Sequence, residues 1–391
     1  MMKMERVKLG DISKLINGDR GKNYPSQADI TDDGEIPFIN AGHLNGGSID
    51  FSEMNYISQD KYDKLNSGKF QKGDILYCLR GSLGKKAIVN NDINGAIASS
   101  LVIIRPDPEK VSGEYLMLAL DSPAIKEQLV KANNGSSQPN LSAASVREYE
   151  VELPEFSIQK EVVEKLIKVR SIIDNRRQEL QLLNDLIKAR FVEMFGDPIL
   201  NPNGYLKEKI EKHIDLLSGY PFKSEQYVEE GINICGGLII MPQKIKWNEC
   251  VHWSSAEGFE DYLLNENDIV MALDRPWISE GFKMAKVDAE HLPALLIQRT
   301  ARIRAIDMNQ EYLYNCFING GFDKHSYVTG SLVPHISAKD IRSFEIMIPP
   351  AELQNQFADF VHQVDKSKVV VQKALDETQI LFNSLMQQYF G

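Results

Sequence analysis

The strongest constraint on the fold of this chain is an internal repeat at an offset of 195 residues. The segment GSSQPNLS at 135–142 aligns with GSLVPHIS at 330–337, and the register then holds without a gap. Pairs that fall into register after this segment are Pro154 with Pro349, Gln159 with Gln354, and Phe195 with Phe390. A tandem repeat of this length predicts two similar globular units, each followed by the same kind of helix.

The composition is that of a globular protein without a membrane segment. A chain of 391 residues has room for two or three domains with their own cores. No run of eighteen apolar residues occurs, and Met1–Arg6 lacks the apolar stretch of a secretion signal. Four scattered cysteines without CxxC spacing favour reduced thiols and a cytoplasmic location. Cys250 and His252 are too isolated to predict a metal site.

The net charge of −11 opposes a role in nucleic-acid binding, because phosphate contacts need basic surface. A local basic groove is nevertheless compatible with an acidic total.

The pattern predicts an α+β protein with two α/β domains, at 1–153 and 197–348. Short apolar runs between Gly, Asn and Asp turns predict strands at 35–40, 74–79 and 98–104. Apolar residues at helical spacing predict one continuous helix over 113–131.

Two long helices are predicted at 154–196 and 349–391, because the residues there repeat every 3.5 positions. The first seam is Leu166, Val169, Ile173, Arg176, Leu180, Leu183 and Ile187. The second seam is Val361, Val364, Lys368, Val371, Leu375, Thr378 and Phe382. Each seam needs a partner, and an antiparallel coiled coil with an approximate two-fold axis satisfies both helices. The alternative is two independent helices, each packed on its own domain, although helices of about 57 Å outreach a small domain.

The sequence offers little catalytic chemistry. The segment GSLGKK at 81–86 lacks the spacing of a phosphate-binding loop. The segment PDPEK at 106–110 is similar to a nuclease core, but Asp107 and Glu109 are too close for adjacent strands and the repeat has no equivalent. A nuclease there is an open alternative to an ordinary turn. The sequence therefore predicts a recognition protein without catalytic activity of its own.

Polar and cationic loops are the candidate recognition sites, since nucleic-acid readers use Lys and Arg for phosphates and amides, hydroxyls and Arg for base edges. In the first repeat the candidates are Arg20, Lys22, Tyr24, Arg80, Ser82, Lys85, Lys86, Ser136, Ser137, Gln138 and Asn140. In the second repeat they are Lys223, Arg275, Trp277, Lys283, Arg299, Ser331 and His335. Alignment of the repeats puts residues 298–300 in the place of 98–100. Each of these loops is also compatible with an ordinary exposed turn.

These residues together resemble the specificity subunit of type I restriction–modification systems over essentially the whole chain. The resemblance rests on the twofold repeat, the loops at 135–142 and 330–337, and the helix start at Pro349-Pro350 with Gln354. The first helix start departs from the family pattern, because Glu155 replaces the second proline.

The resemblance implies two target-recognition domains held by an antiparallel coiled coil, each reading one half of a split, asymmetric double-stranded DNA target. It implies two adenine-methylating modification subunits and restriction or translocase subunits as partners. S-adenosylmethionine, ATP and Mg²⁺ would belong to those partners, with no cofactor or metal bound by this chain.

Two further alternatives stay open at this point. One is the specificity subunit of a related system whose partner fuses methylation and cleavage in one chain. The other is a symmetrical scaffold with end domains that bind protein or sugar, for which Trp247, Trp253 and Trp277 are candidates, although packing accounts for them equally.

Overall fold

The computed structural model describes residues 5–133, 139–326 and 334–391. It divides into two compact units, the first made of residues 1–177 and 373–391 and the second of residues 178–372. The chain thus leaves the first unit, builds the second and returns to the first. Since these divisions fall inside the two long helices, they do not test the predicted domain boundaries, which stay a prediction.

The first unit combines short strands with helices, and the second unit repeats the main part of this order. Its strands are β1 (Glu5–Lys8), β2 (Ser13–Asn17), β3 (Ile36–Ile39), β4 (Leu44–Asn45), β5 (Ser48–Ile49), β6 (Tyr56–Ile57), β7 (Lys69–Phe70), β8 (Ile75–Cys78), β9 (Lys86–Ile88), β10 (Gly95–Ile97), β11 (Leu101–Pro106) and β12 (Glu150–Leu153). Its helices are α1 (Leu9–Ile12), α2 (Gln59–Lys64), α3 (Gly113–Ala119), α4 (Pro123–Ala132), α5 (Ala143–Arg147), the first part of α6 (Phe156–Phe195) and, at the end of the chain, the last part of the second long helix.

The second unit has the following elements. Its strands are β13 (Lys207–Lys209), β14 (Ile214–Ser218), β15 (Ile232–Cys235), β16 (Ile240–Met241), β17 (Lys244–Ile245), β18 (Val251–Trp253), β19 (Ile269–Ala272), β20 (Trp277–Ile278), β21 (Gly281–Phe282), β22 (Met284–Lys286), β23 (Ala294–Leu296), β24 (Thr300–Ala305) and β25 (Glu345–Met347). Its helices are the last part of α6, α7 (Gln310–Asn319), α8 (Phe322–His325), α9 (Ala338–Ser343) and the first part of α10 (Ala351–Phe390).

Corresponding sheets confirm the predicted repeat. The order β2-β11-β8-β9 in the first unit corresponds to β14-β24-β19-β22 in the second, both antiparallel. The other main sheet of each unit contains one parallel pair, which is β3 with β10 in a four-stranded sheet and β15 with β23 in a three-stranded sheet. The first strand of each unit pairs with the strand that precedes the long helix, as β1 with β12 and β13 with β25.

Strand β8 shows why the central strands are uninterrupted apolar runs. Ile75 and Tyr77 pack into the cluster that contains the helices, whereas Leu76 and Cys78 pack into the cluster between the two sheets. Successive side chains of a strand point to opposite faces, so a strand buried on both faces has no polar alternation. In the second unit Ile269 and Val270 of β19 divide between two clusters in the same way.

The predicted continuous helix over 113–131 is wrong, because the chain forms α3 and α4 with a break at residues 120–122. Ser122 caps α4 by accepting a hydrogen bond from the Ile125 amide at 3.2 Å, and Pro123 occupies its first turn. Proline cannot supply the amide hydrogen bond that a continuous helix needs.

Strand β11 begins three residues later than the predicted strand at 98–104, because residues 98–101 form a turn closed by the Leu101 amide and the Ala98 carbonyl.

Both heptad seams form the buried stripes of the long helices. Every seam residue of α6 and α10 is buried or half-buried, including the polar breaks Arg176, Lys368 and Thr378. In the first unit Leu166, near the start of α6, shares a cluster with Met386, near the end of α10. In the second unit the end of α6 shares a cluster with the start of α10. The helices are therefore antiparallel within each unit, as predicted.

A repeated buried glutamine ties each long helix to its unit. The Gln159 carbonyl oxygen accepts a hydrogen bond from the Ser112 amide at 3.0 Å, and its amide nitrogen donates to the Pro154 carbonyl at 3.1 Å. The equivalent partners of Gln354 are Asn309 at 2.9 Å and Pro349 at 2.8 Å. Both glutamines are almost fully buried, so their bonds satisfy backbone groups that water does not reach.

Among the residues that the structure describes, no helix is both long and apolar enough to cross a membrane.

Candidate nucleic-acid interface

A backbone bridge joins two loops at the end of β8 in the first unit. Arg80 and Asn140 form an isolated antiparallel bridge. The Gly81 amide donates to the Pro139 carbonyl at 3.3 Å, and the Leu141 amide donates to the Leu79 carbonyl at 2.8 Å. The bridge places Arg80 and Asn140, which are both exposed and come from two separate candidate loops, side by side.

The second unit repeats this bridge with different side chains. Asp274 pairs with His335, the Arg275 amide donates to the Pro334 carbonyl at 2.7 Å, and the Ile336 amide donates to the Leu273 carbonyl at 2.9 Å. Asp274 therefore occupies the position of Arg80, and His335 that of Asn140. The candidates Ser136, Ser137, Gln138 and Ser331 lie outside the described residues.

The cationic loop after β8 is only partly exposed. Arg80, Ser82 and Lys85 are exposed, and no hydrogen bond or ion pair holds the Arg80 side chain among the described residues. Lys86 is 8% exposed and its ammonium contacts the Asp121 carboxylate, with burial lowering the pKa of Lys86. The structure does not bring Lys86 to this surface, because the alternation of β9 turns it inward.

The early loop of the first unit lies next to the turn before β11. The Arg20 guanidinium donates to the Ser99 carbonyl at 3.4 Å, and the Tyr24 hydroxyl accepts from the Ser99 amide at 3.4 Å. Buried Asp19 shapes this loop, since it accepts hydrogen bonds from the Gly21 amide at 2.7 Å and from a second backbone amide. These bonds lower the pKa of Asp19. Arg20 and Lys22 are exposed, whereas Tyr24 is half-buried.

The turn before β11 also touches the bridged loop. The Ser100 carbonyl accepts a hydrogen bond from the Leu79 amide at 2.8 Å, one residue before Arg80. The early loop and the bridged loop, which are sixty residues apart in sequence, thus meet through residues 99 and 100. This juxtaposition supports one continuous polar surface in the first unit.

A cavity of about 550 Å³ lies at the corresponding place in the second unit. Ile234, Ile239 and Ile297 contribute apolar walls, whereas Asp274, Arg275 and Arg299 contribute charges. Asp274 lies between His335 and Arg299, with 2.7 Å between its Oδ1 and His335 Nδ1 and 3.8 Å between its Oδ2 and Arg299 Nη1.

Both arginines at this cavity have a left-handed backbone. The φ angle is +46° at Arg275 and +70° at Arg299, although arginine, like most residues with a Cβ atom, rarely adopts this region. Such conformations persist where surrounding contacts impose them, and they concentrate at functional sites.

Other second-unit candidates lie in different environments. Lys283 is buried, and its ammonium donates to the Gly237 carbonyl at the cavity wall, with burial lowering the pKa of Lys283. Trp277 stacks on Phe282 at 4.9 Å and lines a different cavity. Lys223 is exposed at the start of a short turn. Arg275, Arg299 and His335 are thus brought together, whereas Trp277 is not brought to them.

The alignment of residues 298–300 with 98–100 was wrong by one residue. The Leu273 amide donates to the Arg299 carbonyl at 2.9 Å, just as the Leu79 amide donates to Ser100. Arg299 therefore takes the place of Ser100 and not of Ser99.

Several residues at this cavity were not among the candidates from the sequence, and they include Tyr227, Leu238 and Asp274. Leu238 is 90% exposed and adds apolar surface to the lining of the cavity. An apolar residue directly after Gly236-Gly237 was the available sequence signal.

The alternative sites occupy ordinary structural positions. Asp107 accepts a hydrogen bond from the Glu109 amide at 3.1 Å within one turn. No group of three potential metal ligands occurs in the described ranges. Trp247 and Trp253 are more than nine-tenths buried.

Replacement of Arg80 by alanine should weaken DNA binding by about 1–3 kcal/mol, because its exposed guanidinium can pair with a guanine edge. Competition binding with single-base variants of the target measures this effect. A loss confined to sites with one particular guanine is the expected result. An equal loss on every sequence, with a shallower salt dependence, would instead identify a phosphate contact.

Two tandem units of one fold, each joined to an antiparallel helix pair and each with a bridged polar loop, define a protein with paired recognition domains. A family model described as the type I restriction modification DNA specificity domain matches residues 1–185 and 219–378. The chain belongs to this family of type I restriction–modification specificity subunits.

Individual relatives agree with this assignment. The type I restriction enzyme MjaVIII specificity subunit of Methanocaldococcus jannaschii is 22% identical over 403 aligned residues, covering 96% of this chain and 89% of that protein. The EcoAI specificity subunit of Escherichia coli is 30% identical over 193 residues, covering 47% of this chain and 32% of that protein.

Solved structures show the same fold. The crystal structure of a type I restriction–modification S subunit from M. genitalium superposes with a TM-score of 0.55 at 14% identity, covering 100% of this chain and 96% of that one. A chain from a study of complex assembly and conformational transition of the type I system gives a TM-score of 0.57 at 17% identity, covering 100% and 98%.

Proposed function

We propose that each unit of this specificity subunit reads one half of a bipartite, asymmetric double-stranded DNA sequence. The observation that carries the proposal is the repeated bridge, which presents Arg80 and Asn140 in one unit and Asp274 and His335 in the other. The same backbone scaffold with different polar side chains suits two different half-sites, because base edges are distinguished by their donors and acceptors.

The partners are two adenine-methylating modification subunits and restriction or translocase subunits. This chain acts without catalysis of its own, and S-adenosylmethionine, ATP and Mg²⁺ are bound by those partners. The acidic total charge of −11 fits this division of labour, since modification subunits can supply much of the phosphate contact.

Binding to DNA tests the proposal against a scaffold for protein or sugar ligands. The chain, assembled with modification subunits from the same host, is titrated with duplex DNA at several salt concentrations. Sequence-selective binding whose logarithm falls steeply with the logarithm of salt is the expected result. Absence of binding at low salt would favour the scaffold.

We also infer that α6 and α10 set the spacer between the half-sites, because each helix runs from one unit into the other. Four residues inserted into both helices, after Arg177 and after Gln372, add about 6 Å of helix. At 3.4 Å per base pair the spacer should lengthen by roughly one or two base pairs, which sequencing of the methylated motif measures.

A matched control for this insertion places the same four residues in the exposed turn at Asn91 and Asp92. This control should keep the original spacer. A spacer that stays unchanged after insertion into both helices would contradict the role of the helices.

A further inference from the structure

We propose that the second unit reads a guanine through Arg299, and that Asp274 is the positioning residue that holds this guanidinium at the cavity. This inference rests on the proposed function and names the base recognised by one residue of the site.

The Arg299 side chain is exposed to a ligand, whereas its backbone is held in place. Its side chain is 68% exposed, yet its backbone is held by the hydrogen bond from the Leu273 amide at 2.9 Å. Because φ is +70° at Arg299, its side chain leaves the backbone in a different direction from that of a residue in an extended strand. A long side chain that starts from a fixed backbone loses less freedom when it binds.

Asp274 restrains the far end of the same side chain. Its Oδ2 lies 3.8 Å from Arg299 Nη1, while its Oδ1 is 2.7 Å from His335 Nδ1. A guanidinium has five N–H donors, so one contact with a carboxylate leaves the others available. Two parallel donors match O6 and N7 of guanine in the major groove.

The first unit has different residues at the positions of Arg299 and Asp274. Ser100 takes the place of Arg299, and Arg80 takes the place of Asp274, as the bonds from Leu79 and Leu273 and the two bridges show. The carboxylate therefore occurs together with the arginine that it restrains, and both are replaced together. This pairing favours a positioning role for Asp274 over a separate base contact.

The experiment uses the assembled complex and DNA duplexes in which 7-deazaguanine replaces one guanine at a time. This analogue lacks only the N7 acceptor, so it removes one of the two hydrogen bonds that the arginine fork makes. Wild-type complex should lose on the order of 10-fold in affinity at one guanine of the half-site read by the second unit.

Substitutions of Arg299 and Asp274 test which residue contacts that guanine. Arg299→Ala should bind the natural duplex on the order of 10-fold more weakly and should no longer respond to 7-deazaguanine at that position. Arg299→Lys keeps the charge but not the planar fork, and it should lose the same response. Asp274→Asn should reduce this response without changing sensitivity at other guanines, which a general loss of folding would not do.

Arg342→Ala is the matched control, since it removes an exposed arginine of the same unit that does not line the cavity. This variant should retain the full response to 7-deazaguanine. The inference is overturned if the half-site contains no sensitive guanine, or if Arg299→Ala still responds at every sensitive position. Failure of the wild-type complex to select any bipartite sequence would instead overturn the proposed function itself.

Discussion

Exchange of residues 1–153 for the matching segment of another family member should change one half of the recognised sequence and leave the other half unchanged. The structure favours this exchange because both ends of the segment lie together, with β1 paired to β12 from Glu5 opposite Leu153 to Lys8 opposite Glu150. Specific sites are commonly bound about 10³-fold or more tightly than non-specific DNA, so the change of half-site should be complete. Sequencing of methylated bases in cells with the exchanged chain measures it.

The reciprocal exchange of residues 197–348 is the control. Its ends are likewise joined, since β13 pairs with β25. This exchange should alter only the opposite half of the target. Simultaneous change of both halves in either chimera would show that the units do not read independently.

Phe191→Ala should destabilise the second unit by about 3–5 kcal/mol, because it empties the centre of an aromatic cluster. Phe191 is fully buried and contacts Phe195, Tyr312 and Phe357 with ring centroids 5.1, 5.8 and 5.5 Å apart. These rings come from α6, α7 and α10, so the cavity would loosen both long helices at once. Denaturant unfolding followed by tryptophan fluorescence measures the effect, since Trp247, Trp253 and Trp277 all lie in this unit.

Val192→Ala provides the matched comparison on the adjacent residue of α6. Val192 is 42% exposed, so its truncation should change the free energy of unfolding by less than about 0.5 kcal/mol. Equal losses for the two variants would contradict the assignment of Phe191 to the core and of Val192 to the surface.

The helices and the repeat could be predicted from sequence because both depend on periodic patterns. Burial of Leu166, Ile173 and Ile187 follows directly from the 3.5-residue spacing. The prediction of one continuous helix over 113–131 was wrong for a local reason. The apolar spacing continues across Pro123, although proline interrupts the hydrogen bonds of the helix.

The recognition surface was only partly predictable, because composition shows which charges are present but not where they point. Lys86 and Lys283 looked equivalent to exposed loop cations, yet both are buried against oxygen atoms. The register of Arg299 was missed by one residue, because the loops of the two units differ in length before β11 and β24. Their backbone hydrogen bonds, rather than the alignment, fix this equivalence.

The central claim is that this chain chooses the DNA sequence that its partners methylate. Sequencing of methylated bases in the host genome, with and without this gene, tests the claim most directly. We expect loss of N6-methyladenine at one bipartite, asymmetric motif when the gene is deleted, and its return when the gene is restored. An unchanged pattern in a host whose modification subunit is active would contradict it.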